Sequence, residues 1–138
     1  MARENLVALL ERQGVRPTAV RLILADVLER ADAPLSAMEI ERILDTVDRS
    51  TITRGLSIFA EHGLIHSVDD STGIPKYEWC RSPGGHSPGD GHAHFHCRKC
   101  GRTFCLHDIP LPSLPLPAGY EPEETSLVII GICPRCRR

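Results

Sequence analysis

The sequence predicts an α+β chain, an N-terminal winged helix-turn-helix joined by a hinge to a small C-terminal α/β domain. Three observations predict it. Up to Gly63 the chain carries four amphipathic helical patterns, and two strand-like runs follow them. Residues 81–91, RSPGGHSPGDG, are rich in Gly, Pro and Ser and have no periodicity, the composition of a hinge. Beyond it come two Cys-x-x-Cys pairs, each beside a strand-like run. The expected division is 1–80, hinge 81–91 and 92–138.

Taken in order, residues 4–13 set Leu6, Val7, Leu9 and Leu10 among charges, an amphipathic helix ended by Gly14. A second helix follows Pro17 and Thr18, with Val20, Ile23, Leu24, Val27 and Leu28 on one stripe. Ser36-Ala-Met-Glu39 is a capping box opening a short third helix, expected to bury Ile40, Ile43 and Leu44. Ser50 is the expected cap of a fourth, TITRGLSIFAEHG, closed by Gly63. Ile52, Leu56 and Phe59 fall on one face of it, and Ser50, Thr53, Arg54 and Ser57 on the other. LIHSV and PKYEWC then pair through the turn DDSTG. This order makes a winged helix whose fourth helix would offer its polar face to a DNA major groove. One amphipathic helix alone is equally a solvated surface helix, so the inference rests on the order and lengths of the elements.

After the hinge, HAHFHC and RTFCL form a hairpin around CRKCG. IPLPSLPLPAG is too proline-rich for a long helix, though it admits one short turn. SLVIIGIC is expected to be a buried strand leading into the second cysteine pair. No signal-peptide run or membrane span is evident, which predicts a soluble, cytoplasmic protein. In a reducing compartment, paired cysteines are metal ligands before they are disulfides. Cys97, Cys100, Cys133 and Cys136 would close a tetrahedral zinc site with no position left for chemistry, hence a structural one. Zinc binding of this kind is worth on the order of 10–16 kcal/mol in small peptides. A chain with only three Phe, two Tyr and one Trp has need of such a staple.

His92, His94 and His96 alternate along one strand and so share a face, away from the side used by Cys97. With His66, Cys80 and Cys105 they supply ligand types for a second site; an exposed polar strand with incidental histidines is the alternative. Net charge is −2, with nine Lys and Arg against thirteen Asp and Glu up to residue 80 and seven against five after it. A nucleic-acid binder ordinarily has a basic surface, so DNA binding rests here on pattern, not charge. An enzyme is not expected. Pro134 beside a knuckle suggests a zinc deaminase, but those enzymes need His-x-Glu at an open metal position, and the chain has no His-x-Glu.

Arg16-Pro-Thr18-Ala-Val-Arg21, LSAMEIERIL, DRSTITRGLSIFAEHGLIHSV, the Cys97 and Cys100 knuckle with its upstream histidines, and GICPRC together resemble the ferric uptake regulator family over nearly the whole chain. The resemblance implies a DNA-binding winged helix, a C-terminal dimerisation domain, a structural zinc on the four paired cysteines and a regulatory metal site between the domains. Its zinc uptake regulator branch is the closer likeness. That branch carries a histidine after the recognition helix, a cysteine ending the second wing strand, and histidines three and five residues before the first knuckle cysteine. These correspond to His66, Cys80, His94 and His92. Cys105 stands where several relatives place a glutamate ligand, and is either a ligand displacing a histidine or a small buried residue. His96 has no counterpart, His86 falls in the hinge, and His62 and His107 are expected to have no metal role, His62 complementing a helix C-terminus.

By the same resemblance the DNA contacts are Arg16, Thr18, Arg21, Arg49, Ser50, Thr51, Thr53, Arg54 and Ser57. Thr53 replaces a tyrosine found in many relatives, so base preference does not carry over. The family's second regulatory site falls on Gly91, Ala93, Pro112 and Thr125, none a strong ligand. The implied function is a zinc-dependent repressor, with two zinc ions per chain, acting as a homodimer on double-stranded operator DNA, with no membrane or small-molecule substrate. A thiolate with imidazoles suits zinc, whereas oxygen-rich sites favour harder ions. Iron or peroxide sensing, and an adaptor holding only the four-cysteine zinc, are the alternatives.

Overall fold

The computed structural model describes residues 3–80, 92–123 and 125–137, the side chains at 3, 4, 92, 107 and 108 excepted. The hinge assigned to 81–91, with His86, lies outside the described residues. Within them the order is α1 (Arg3–Arg12), α2 (Ala19–Arg30), β1 (Leu35–Ser36), α3 (Ala37–Ile43), α4 (Arg49–Glu61), β2 (Ile65–Val68), β3 (Lys76–Trp79), β4 (His92–Cys97), β5 (Thr103–Pro110) and β6 (Val128–Gly131). No helix among them is long and apolar enough to cross a membrane.

The helix starts follow from side-chain caps. Thr18 accepts the Arg21 backbone N–H at 3.3 Å to open α2. Both halves of the capping box form at α3, where Ser36 Oγ accepts from the Glu39 N–H at 3.2 Å and Glu39 Oε1 accepts from the Ser36 N–H at 3.1 Å. α4 differs from expectation. Asp48, in extended backbone, occupies its cap, and Ser50 lies in the first turn donating its hydroxyl to Asp48 Oδ2 at 2.7 Å.

Leu6, Leu10, Leu24, Leu28, Ile40, Ile52, Leu56, Phe59, Leu64 and Trp79 form the core of this half, with Trp79 edge-on to Phe59 at 6.3 Å between ring centres. Two expected burials fail. α2 buries Leu24, Ala25 and Leu28, leaving Val20, Ile23 and Val27 half-buried, because Gly55 of α4 admits Leu24 so closely that a Cβ there would stand 2.6 Å from Leu24 Cδ2. Ile43 is 55 % exposed and Leu44 only half-buried, because α3 is seven residues long and fully buries Ile40 alone.

β2 and β3 form the expected hairpin, joined by a strand too short to read from sequence, β1, in the order β1-β3-β2. Alternation sends Ile65, Tyr77 and Trp79 toward the helices and leaves His66, Lys76 and Glu78 on the other face. The second sheet has the order β5-β4-β6, with β5 antiparallel and β6 parallel to β4. β5 continues past the expected RTFCL to Pro110. Residues 111–123 hold one turn, closed by the Tyr120 N–H on Pro117 O at 3.3 Å, as the prolines require. β6 was expected to be buried, yet Ile129 and Ile130 are 43 % and 52 % exposed, because it is an edge strand.

Candidate metal centres

The knuckle sequence CRKCG turns sharply after β4. The Gly101 N–H reaches Cys97 O at 2.9 Å and the Cys97 N–H reaches Arg102 O at 2.9 Å, a turn that holds Gly101 at φ +79°. The Arg98 N–H donates to Gly131 O at 2.9 Å, tying this turn to the end of β6 and so delivering the second pair. The four sulfurs of Cys97, Cys100, Cys133 and Cys136 lie within 4.8 Å of one another. None of the six cysteines is in a disulfide. The backbone N–H groups of Cys100 and Cys133 point at Cys97 Sγ from 3.5 and 3.3 Å. The Cys100 N–H contributes most to lowering that thiol to about 6, whereas hydrogen bonding to Cys133, with burial, pushes Cys136 up to about 12. Four thiols this close cannot all ionise without a cation among them, and four thiolates fit zinc.

The second cluster lies between the two sheets. From β2 and β3 come His66 and Glu78, with Cys80 just past the end of β3; from β4 and β5 come His94 and Cys105, directly opposite each other in the ladder. His66 Nδ1 is 3.2 Å from Cys80 Sγ, and its Nε2 is 3.4 Å from Glu78 Oε2. His94 Nε2 is 2.6 Å from that same oxygen, and the Cys105 thiol donates to Glu78 Oε1 at 3.0 Å. Ligand atoms of Glu78, His94 and Cys105 fall within 4.8 Å of one another. The hydrogen bond to Cys80, then that to Glu78, raises His66 to about 10. Burial opposes ionisation of Glu78, but hydrogen bonds from His66, His94 and Cys105 outweigh it and hold the carboxyl far below its ordinary range. Carboxylate, thiol and imidazole side by side form a donor set that a divalent ion fits.

Of the expected regulatory ligands, the fold thus gathers His66, Cys80, His94 and Cys105, and the His92 side chain lies outside the described residues. His96 is not among them. It shares the His94 face but contacts Thr103 and Asp70. Glu78 is the group that sequence reasoning missed. Its signal was its place two residues before Cys80 on a strand, which puts both on one face.

The polar face of α4 is open as expected, with Arg49, Ser50, Thr53, Arg54 and Ser57 exposed and Thr51 half-buried. Arg49 is paired with Glu41 at 2.8 Å, and the Thr53 hydroxyl bonds Arg49 O at 2.9 Å. Arg21, in the first turn of α2, reaches back to Arg16 O at 2.9 Å, so Arg16, Thr18 and Arg21 are linked across the start of that helix. His62 touches Gln13 O at 3.0 Å, tying the end of α4 to the chain after α1.

Comparison with known proteins gives a consistent picture. The model of the ferric uptake regulator family matches residues 12–114. The zinc uptake regulation protein of Mycobacterium tuberculosis is 27 % identical over 132 residues, covering 90 % of this chain and 96 % of that one. The ferric uptake regulation protein of Staphylococcus aureus is 23 % identical over 142 residues, 99 % of each chain. Among solved structures, a zinc uptake regulator complexed with zinc and DNA superposes with a TM-score of 0.64 at 18 % identity, over 99 % of this chain and 96 % of that one.

Proposed function

The chain belongs to the ferric uptake regulator family of metal-responsive transcriptional regulators, and from that premise we propose that it is a zinc-responsive repressor that binds operator DNA as a homodimer. The observation that carries the zinc reading is the cluster between the sheets, in which His94 and the Cys105 thiol stand together on Glu78, and His66, itself beside the Cys80 thiol, reaches the same carboxylate. Sulfur and imidazole ligands select zinc over harder ions. Similarity to a zinc uptake regulation protein supports the same reading.

In this proposal Cys97, Cys100, Cys133 and Cys136 hold one structural zinc. His66, Cys80, His92 and His94, with Cys105 and Glu78 available beside them, hold a second, regulatory ion. Residues 1–80 and 92–138 then act as two domains hinged at 81–91. An ion at the second site supplies a crosslink between them. What the chain does is fix the angle of the winged helix, so that the α4 faces of a dimer meet half-sites about one or a few helical turns apart. Arg16, Thr18, Arg21, Arg49, Ser50, Thr51, Thr53, Arg54 and Ser57 are the proposed DNA contacts. The acidic N-terminal half suits such a switch, since weak non-specific attraction keeps the metal-free dimer off DNA.

Iron or peroxide sensing is the second reading, and Glu78 favours it, because a carboxylate in the cluster is a ligand for harder ions. Elemental analysis and DNA-binding titrations on reduced protein separate the two. Two zincs per chain falling to one on mild chelation, with DNA binding lost and restored by zinc but not by iron(II) under anaerobic conditions, is the expected result. Restoration by iron(II) alone would transfer the protein to the second reading, and one zinc throughout with unchanged DNA binding would remove the sensor.

A further inference from the structure

The metal cluster has a twin beside it. Three of the four strands that give it a residue give another, two positions along and on the same face, to a second polar layer: Glu78 and Lys76 on β3, His94 and His96 on β4, Cys105 and Thr103 on β5. Asp70, from the DDSTG turn, completes that layer and is fully buried, while Lys76, His96 and Thr103 are 8 %, 7 % and 3 % exposed. Asp70 Oδ2 pairs with the Lys76 ammonium, accepts the Thr103 hydroxyl at 2.7 Å and lies 3.6 Å from His96 Nδ1. Asp70 Oδ1 accepts from the Thr72 hydroxyl at 2.6 Å and the Thr72 N–H at 3.2 Å. Thr103 Oγ1 also lies 3.5 Å from Lys76 Nζ and 3.0 Å from His96 Nδ1. Because the Thr103 proton goes to the carboxylate, His96 must present Nδ1–H to Thr103.

Three of these contacts cross from the wing to the C-terminal sheet, Thr103 to Asp70, His96 to Asp70 and Lys76 to Thr103, and a buried charge pair persists only where its neighbours satisfy it this fully. We propose that Asp70, Lys76, Thr103 and His96 form a second, metal-independent tie between the wing and the C-terminal sheet, with the Lys76 ammonium in the place of a cation. It is a positioning device. It holds Glu78 on one sheet opposite His94 and Cys105 on the other, so that an ion meets ligands already gathered. The benefit to metal affinity rests on the regulatory-site reading above; the tie itself does not.

Hydrogen exchange read by mass spectrometry tests it on full-length protein carrying only its four-cysteine zinc. Thr103→Val, nearly the same shape, removes the shared hydroxyl; Thr103→Ser restores it. Faster exchange in both 67–79 and 103–110 for the valine variant, recovered in the serine variant, is expected, with affinity for a second zinc about tenfold lower by chelator competition. Exchange that quickens only in 103–110, or nowhere, would overturn the tie. Faster exchange in both with unchanged zinc affinity would overturn the positioning role. If the parent protein binds no second zinc, the exchange result still decides the tie, and only the regulatory-site reading falls. Lys76→Met, with far-UV circular dichroism of the helices as the folding control, gives an independent variant expected to loosen the same two segments.

Discussion

Glu78 receives hydrogen bonds from His94 and Cys105 and lies against His66. Replacing it with Gln keeps the shape and removes the charge. Loss of an oriented partner of this kind costs about 10- to 100-fold in metal affinity, so Glu78→Gln should weaken second-site binding by that order in chelator competition. An unchanged affinity would leave Glu78 outside the site.

The pH dependence has a definite sign. His66 is raised from 6.5 to about 10, so in protein without the second ion it adds stability that is full below 6.5 and fades as pH rises through about 10. Glu78 and Asp70 are depressed, despite burial, from 4.5 and 3.8 by their hydrogen-bond partners, so their contribution is present above those values and is lost as pH falls through the lower folded ones. Urea midpoints should therefore be highest between about 5 and 6.5 and decline on both sides. A metal must displace the His66 proton, so second-site affinity should climb up to about tenfold per pH unit between 7 and 9, with proton release visible by calorimetry in buffers of different ionisation heat. At this scale, cysteines and histidines were legible because there are few of them and their spacing is informative. Glu78, Asp70 and Lys76 were not, because a chain with eighteen Asp and Glu gives no single carboxylate distinction until strand pairing selects it.

Among the elements, α4 is held unusually close to α2. An Ala in a helix interior is normally about 1 kcal/mol better than Gly. At Gly55 the added Cβ would stand 2.6 Å from Cδ2 of Leu24, a core side chain with 0 % exposure, and overpacking of that kind costs about 1–3 kcal/mol. Gly55→Ala should therefore destabilise by about 1 kcal/mol in urea unfolding, and a stabilised variant would mean that Leu24 swings aside. Ser36→Ala removes one half of the capping box and should lower stability by about 1 kcal/mol in the same measurement. Helices and hairpins were legible because their caps and alternation are local. The roll of α2, the exposure of Ile43 and the two-residue β1 were not, since each depends on a neighbour distant in sequence.

For the whole molecule, the exposed Ile129 and Ile130 of edge strand β6 are the surface that the proposed dimer would cover. Substituting both with Glu should give monomers by sedimentation velocity and weaken operator binding, whereas an intact dimer would move the interface elsewhere. The composition at 81–91 suggested a division there, but not the way the two sheets face each other, because the residues that meet lie on strands far apart in sequence. The parallel placement of β6 beside β4 also bears on how the chain acquires its structure. Cys97 and Cys133 are separated by β5 and the proline-rich segment, and the entropy of closing so long a loop must be met before β6 can pair. The helices and the β2–β3 hairpin of the N-terminal half need no such closure. Refolding should be ordered in time: helices first, then a slower step whose rate follows free zinc, because the ion captures the late-arriving pair and β6 docks behind it.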